Sequence, residues 1–127
     1  MAENVVITKQ ARMKIVKARA GAITLPKVVG LAFGDGGVNS KGDVISPVDT
    51  QTNLNHELLR KKVDSYTFKN ETTCSYICTL GVLELVGKSI SEVGLYDEDG
   101  DLLCIKNFTK KGKDKDMEMI FTLDDVF

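Results

Sequence analysis

Apolar residues recur at two different spacings along the chain, and each spacing predicts a different kind of element. Near the start they follow the i, i+4, i+7 spacing of one helical face, at Ala11, Ile15 and Ala18. Thr8 is a residue type that caps helices, and Gly21 is one that ends them in the left-handed conformation. The pattern predicts an amphipathic helix over residues 8–20, whose other positions are basic: Lys9, Arg12, Lys14, Lys17 and Arg19.

The rest of the chain favours strands and loops. Pro26 stops any helix, so Lys27–Phe33 is predicted to be a short buried strand, followed by a long loop over Val38–Thr52. Asn53 is placed to cap a short second helix over residues 54–62, in which Leu54 and Leu58 share a face. The β-rich remainder, residues 65–123, contains five predicted strands: Ser65–Lys69, Thr72–Leu85, Ile90–Asp97, Leu102–Phe108 and Met117–Leu123.

These elements predict an α+β fold in a single domain over residues 1–127. In it, an N-terminal amphipathic helix packs on a mainly antiparallel sheet, a meander with an Asp-Gly hairpin, accompanied by one short second helix.

The hairpin is the element that the sequence predicts most clearly, because Asp-Gly between two apolar runs strongly favours a tight β-turn. A two-residue turn at Asp99-Gly100 determines which residues of the two strands lie opposite each other. On one face the predicted pairs are Asp97 with Leu102, Leu95 with Cys104, and Val93 with Lys106. On the other face they are Tyr96 with Leu103 and Gly94 with Ile105. Both faces are apolar near the turn, so a second layer or another subunit is expected to cover the sheet. We expect the N-terminal helix on one side and a partner chain on the other.

Composition and charge exclude several classes. The 43% hydrophobic and 28% charged residues are typical of a globular domain rather than a disordered one. With 17 basic and 18 acidic residues the chain has no cationic excess, so neither a nucleic-acid nor a membrane partner is expected, despite the basic helix. The start of the chain lacks a secretion signal, and three cysteines in apolar surroundings are expected to be buried thiols, so synthesis in a reducing cytoplasm is expected.

No motif carries catalytic or metal chemistry convincingly. Asp97–Asp101 has its glycine at the wrong position for an EF-hand, so it is interpreted as a turn. The run Gly34–Gly37 lacks the spacing of a phosphate loop, and His56, the only histidine, lies among polar residues typical of a surface. Zinc would need His56 together with all three cysteines, whose spacing suits it poorly. We therefore predict a protein that is not an enzyme and needs no cofactor or metal.

Four segments together resemble a known family. They are Val6-Ile7-Thr8 leading into a helix that ends Ala20-Gly21-Ala22; Lys27–Gly36, a strand closing in a Gly-Asp-Gly turn; Leu54–Lys61, which fits Leu-Asn-x-Glu-x-x-Arg; and Ile90–Leu102, which fits Glu-hydrophobic-Gly-Leu-aromatic-Asp-x-Asp-Gly-x-Leu. The chain resembles the N-terminal, baseplate-attaching tail-collar fibre domain of contractile-tail phage fibre proteins, and the likeness spans most of its length.

The resemblance implies a structural component of a phage, prophage or tailocin tail, located in the virion and made in the bacterial host cytoplasm. It implies contacts with tail, baseplate or fibre proteins and a homo-oligomer, with a trimer favoured. Because the sequence ends at Phe127 without a long shaft, the chain is expected to be an attachment module without a shaft or to bind a separate fibre subunit. Structural roles in turns and the hairpin are assigned to Gly34, Gly36, Glu92, Gly94, Tyr96, Asp97, Asp99 and Gly100.

A small-ligand or carbohydrate-binding module is the alternative. Tyr66, Phe68 and Tyr76 lie on predicted strands and would present their rings to such a ligand. A concave pocket lined by these rings would favour that alternative, whereas a flat apolar surface would favour an oligomer contact. An enzyme is a third reading, and it would need convergent polar groups around His56 in a deep cleft.

Overall fold

The computed structural model describes residues 4–127, and these contain eight strands and one helix, connected by turns and loops. In chain order they are β1 (Val5–Ile7), α1 (Lys9–Arg19), β2 (Val28–Gly34), β3 (Glu57–Lys62), β4 (Ser65–Asn70), β5 (Thr73–Leu80), β6 (Ser89–Asp97), β7 (Leu102–Gly112) and β8 (Met119–Val126). The strands form a five-stranded sheet, ordered β1-β7-β6-β2-β3, and a three-stranded sheet, ordered β4-β5-β8. All the neighbouring pairs are antiparallel.

The predicted α+β fold is wrong. The chain is mostly antiparallel β-sheet, with 48% of residues in strands and 9% in the one helix of the described part. The second helix expected over residues 54–62 is absent, because Glu57–Lys62 forms strand β3 along the free edge of β2. Pairing of Phe33 with Leu59 supplies hydrogen bonds and packing that a helix this short cannot match on its own.

Local signals place α1 correctly. The Thr8 side chain accepts a hydrogen bond from the Ala11 N–H at 3.1 Å and donates one to the carbonyl of Leu102 at 2.7 Å. Gly21 follows the helix with φ of +79°, the left-handed conformation that glycine adopts without strain. The helix therefore begins on a capping residue that also fixes it to the start of β7.

The main core lies between the two sheets. Leu31, Phe33 and Leu95 of the large sheet pack against residues of the small sheet, and the Phe33 and Phe121 rings meet edge-on with centroids 5.1 Å apart. A second, smaller cluster on the other face of the large sheet contains Ala32, Leu54, Leu102 and Ile105. Both faces of the β6–β7 hairpin are therefore covered by this chain itself, so the expected need for a partner chain there is not supported.

The hairpin register is partly as predicted. Leu95 pairs with Cys104, Gly94 with Ile105 and Val93 with Lys106. Closer to the turn the register shifts by one residue, so that Tyr96 pairs with Leu102 rather than with Leu103. The turn has three residues rather than two, because the Asp97 N–H donates to the Asp101 carbonyl and only Gly100 has a positive φ, +82°.

Candidate functional site

A buried carboxylate on β6 joins three separate segments. Glu92 has no exposed surface, and its side chain accepts hydrogen bonds from the backbone N–H groups of Gly36 at 2.8 Å, Asn55 at 2.7 Å and His56 at 2.8 Å. Three donors compensate the burial of a charge that would otherwise destabilise the fold. Glu92 thus fixes the turn after β2 and the segment before β3 to the centre of the large sheet.

The two glycines assigned to the turn after β2 are required by the closeness of this carboxylate. A Cβ atom at Gly34 would overlap the His56 carbonyl and the Glu92 side chain, and one at Gly36 would overlap Asn55 and the same carboxylate. Neither glycine has a positive φ. Since the Gly36 N–H is already bonded to Glu92 and the Gly37 N–H to the Ser91 hydroxyl, this turn offers no free amides to a phosphate.

The only histidine lies at the surface beside this turn. The His56 ring is 68% exposed and its Nδ1 contacts the carboxylate of Asp35. The three cysteines lie elsewhere, on β5 and β7, and their thiols are free. The structure therefore does not bring His56 together with the cysteines, as a zinc site or a Cys-His pair would require.

The acidic hairpin turn holds a lysine at its centre. Lys14 Nζ lies 2.6 Å from Asp97, 3.0 Å from Asp99 and 2.7 Å from Asp101. Burial would lower the pKa of Lys14, but hydrogen bonds to the three carboxylates outweigh burial and raise it. The three carboxylates are close enough together to hold a metal ion, and an ammonium group occupies that position instead. Asp97 Oδ1 also accepts the N–H groups of Asp99 and Asp101, which closes the turn.

Arg60 joins β3 to the same hairpin. Its Nε donates to Glu57 at 2.9 Å, and a terminal nitrogen donates to the carbonyl of Gly100 at 2.7 Å. The guanidinium group lies 4.8 Å from the centre of the Tyr96 ring, a cation–π distance. Leu54, which begins the same segment, packs over Gly94 in the smaller core cluster. The Leu-Asn-x-Glu-x-x-Arg segment therefore connects the hairpin with the Glu92 centre.

A groove of about 490 Å³ lies between α1, the segment before β2 and the small sheet. We call it the aromatic groove, because three rings of the small sheet lie on its wall. Its lining is mainly apolar and includes Ile15, Leu25, Val28, Tyr66, Phe68 and Tyr76. A polar group, the side chain of Asp125 on β8, also lines it.

The eight predicted structural residues lie in two groups, which the Leu54–Arg60 segment connects. The first group, the Glu92 centre, consists of Gly34, Gly36 and Glu92. The second group, on the hairpin, consists of Gly94, Tyr96, Asp97, Asp99 and Gly100. The sequence did not reveal Lys14, Arg60 or Asp125 as site residues. Positions 11, 14, 15 and 18 share one helical face, so the spacing itself placed Lys14 on the buried side.

Comparison with known protein families gives a match over nearly the whole chain. The family described as phage tail-collar fibre protein, N-terminal, matches residues 1–122. Nothing among curated proteins or solved structures matches the chain. No helix within residues 4–127 is long and apolar enough to cross a membrane.

Proposed function

The chain belongs to the phage tail-collar fibre family, and from that premise we propose that it attaches a fibre or fibre-like subunit to the baseplate through protein–protein contacts. Membership supports a structural role in the virion tail and an interaction with other tail proteins. The match over residues 1–122 is the single observation that carries the proposal.

The internal contacts support a structural rather than a catalytic role for the segments that resemble the family. Glu92, Asp97 and Arg60 are the charged residues that stand out in the matching segments, and each bonds to other parts of this chain. Catalytic groups need access to a substrate, whereas these groups connect strands, turns and α1. We infer that these segments stabilise the fold of an attachment module that has no enzymatic activity.

The oligomeric state and site of synthesis belong to the same proposal. We propose that the chain is made in the cytoplasm of a bacterial host, assembles as a trimer, and contacts neither nucleic acid nor membrane. Light scattering on the purified protein tests the trimer. A mass of three times the 13.9 kDa chain is expected, and a strict monomer at high concentration would contradict it.

Sedimentation of particles tests attachment. Particles from a strain that encodes an epitope-tagged chain are separated on a density gradient, and their tail fraction is analysed by mass spectrometry. The tagged chain is expected with the tails at a fixed ratio to baseplate proteins. Its recovery only at the top of the gradient, with free proteins, would overturn the proposal.

The aromatic groove favours a second candidate, a small-ligand or carbohydrate-binding module. The structure has a concave surface lined by Tyr66, Phe68 and Tyr76, and its volume lies in the range of small-molecule sites. Titration with a panel of mono- and disaccharides, followed by NMR, tests it. Saturable shifts confined to groove residues would support this candidate, and their absence would exclude the sugars tested.

A further inference from the structure

Two rings in the aromatic groove are unusually accessible. Tyr66 is 59% and Phe68 is 72% exposed, although both belong to the face of the small sheet whose other end packs in the core. Phe68 lies beside Cys74 in the sheet, and Cys74 lies beside Asp125. Rings and a carboxylate therefore share one wall, which α1 and Leu25 face from the other side.

Asp125 has no hydrogen-bond or ion-pair partner among residues 4–127. Its neighbour Asp124, by contrast, bonds to Ser75 and lies 2.8 Å from the Lys69 ammonium. Burial raises the pKa of Asp125 above its ordinary value, as expected for a carboxyl group that is removed from water without a compensating charge. The Asp125 side chain is only partly buried, so the groove presents a carboxylate that no cation within residues 4–127 neutralises.

The two lysines that line the groove within the described residues do not neutralise Asp125. Lys14 lines the groove, but its ammonium group is bound by Asp97, Asp99 and Asp101. Lys27 also lines it, and no ion pair joins its ammonium to Asp125. Since no described residue supplies that cation, a side chain of another protein can occupy the site.

We propose that the aromatic groove binds a lysine or arginine side chain, flanked by apolar residues, from another tail protein. The carboxylate of Asp125 neutralises the charge, and the rings of Tyr66 and Phe68 contact the cation and its apolar stem. This proposal rests on the proposed function, since it names the chemistry of a contact that attachment requires.

Charge complementarity favours this occupant over a sugar. A carbohydrate needs several side-chain hydrogen-bond groups around its ring. Apart from Lys27, the tyrosine hydroxyls and two groups of opposite charge, Lys14 and Asp125, the groove wall is mainly apolar. A partly buried carboxylate beside aromatic rings matches one long cationic side chain. Arginine and aromatic residues are also the groups that concentrate binding energy in protein interfaces.

Two short peptides test the proposal on the full chain. The first is N-acetyl-Leu-Lys-Leu-amide, and the second replaces lysine with norleucine, which keeps the stem and removes the charge. Titration followed by NMR is expected to show about tenfold tighter binding of the lysine peptide. The shifted resonances are expected to include Tyr66, Phe68 and Asp125.

Three variants make the test specific. Asp125→Asn is expected to remove the preference for lysine, and Phe68→Ser is expected to weaken both peptides. Asp116→Asn makes the same charge change at an exposed position in the turn before β8, and is expected to bind like the unmodified chain. NMR spectra of each variant in the free state show whether it is folded.

Several results would overturn the proposal. Equal affinity for the two peptides, or an unchanged preference in Asp125→Asn, would exclude recognition of the charge. A loss of self-association in Phe68→Ser, seen by light scattering, would assign the groove to a second copy of the chain. If the chain sediments with tails but does not bind the lysine peptide, this inference alone is refuted. If the chain binds the peptide but is absent from tails, the proposed function is refuted.

Discussion

Nζ of Lys14 lies 2.6 Å from Oδ2 of Asp97, and this contact fixes α1 to the turn of the β6–β7 hairpin. Asp97 is 1% and Lys14 is 11% exposed, so the pair is largely removed from water. Removing one partner of a buried pair leaves an uncompensated charge, which destabilises more than the pair itself stabilises.

Replacing Lys14 with methionine is therefore expected to lower the free energy of unfolding by about 3 kcal/mol. Lys17→Met, at an exposed position of the same helix, is expected to change it by less than about 0.5 kcal/mol. Urea unfolding followed by circular dichroism measures both. Equal stability of the two variants would show that Lys14 has no special role.

Addition of calcium or of EDTA is expected to leave the melting temperature of the unmodified chain unchanged. The Lys14 ammonium already lies between the three carboxylates that would bind such an ion. Differential scanning fluorimetry in both solutions provides the comparison. Stabilisation that rises with calcium concentration would mean that the ion displaces Lys14.

The Glu92→Gln variant tests the buried carboxylate that joins three segments. Glutamine keeps the shape but loses the charge, and its NH₂ group meets backbone donors, so about 2 kcal/mol of stability is expected to be lost. Glu118→Gln, at an exposed position, is the matched control. A Glu92→Gln urea midpoint equal to that of the control would refute the role given to this carboxylate.

Two glycines on the hairpin strands and turn form another matched pair. Gly100 has φ of +82°, so Gly100→Ala is expected to cost about 1 kcal/mol. Gly112 lies in β7 without a positive φ, and a Cβ there meets no atom within 4 Å. Gly112→Ala is expected to be neutral or slightly stabilising. The same cost in both variants would contradict the left-handed turn.

Acid is expected to destabilise the protein through three paired carboxylates. Hydrogen bonds from Lys14, Lys61 and Lys69 lower the pKa values of Asp101, Glu84 and Asp124, respectively. A lowered folded-state pKa contributes stability above the ordinary pKa, and this stability is lost as pH falls through the lowered value.

The urea midpoint is therefore expected to fall once the pH drops below the ordinary values, 3.8 for aspartate and 4.5 for Glu84. Asp125, whose pKa is raised by burial, acts in the opposite direction, because protonation relieves its desolvated charge. Three groups oppose one, so a net loss is expected. A midpoint that stays constant or rises down to pH 3 would contradict these ion pairs.

Much of what the sequence predicted correctly is local in the chain. The Thr8 cap and the apolar stripe lie within α1, and the Asp-Gly turn determined the pairing of Leu95 with Cys104. Strand β3 was missed because its local pattern favours a helix, while its partner β2 lies more than twenty residues earlier. Tertiary pairing overrode local propensity there.

The two groups of structural residues were harder to predict for a different reason. The ligands of Glu92 are backbone N–H groups, which no pattern of side chains reveals. Lys14 was grouped with the exposed basic residues although its spacing placed it on the buried face. Its three acidic partners lie more than eighty residues away, so nothing nearby in the sequence identified them. The sequence therefore indicated which turn and hairpin residues have structural roles, but it did not indicate their hydrogen-bond and ion-pair partners.

Immunogold electron microscopy on intact particles tests the central claim most directly. An epitope tag is placed in the exposed loop at Lys41–Asp43, away from the Glu92 centre and the hairpin turn. Gold particles at the baseplate end of the tail, where fibres attach, are the predicted result. Labelling of the capsid, or no labelling of particles that otherwise contain complete tails, would contradict the assignment of this chain to fibre attachment.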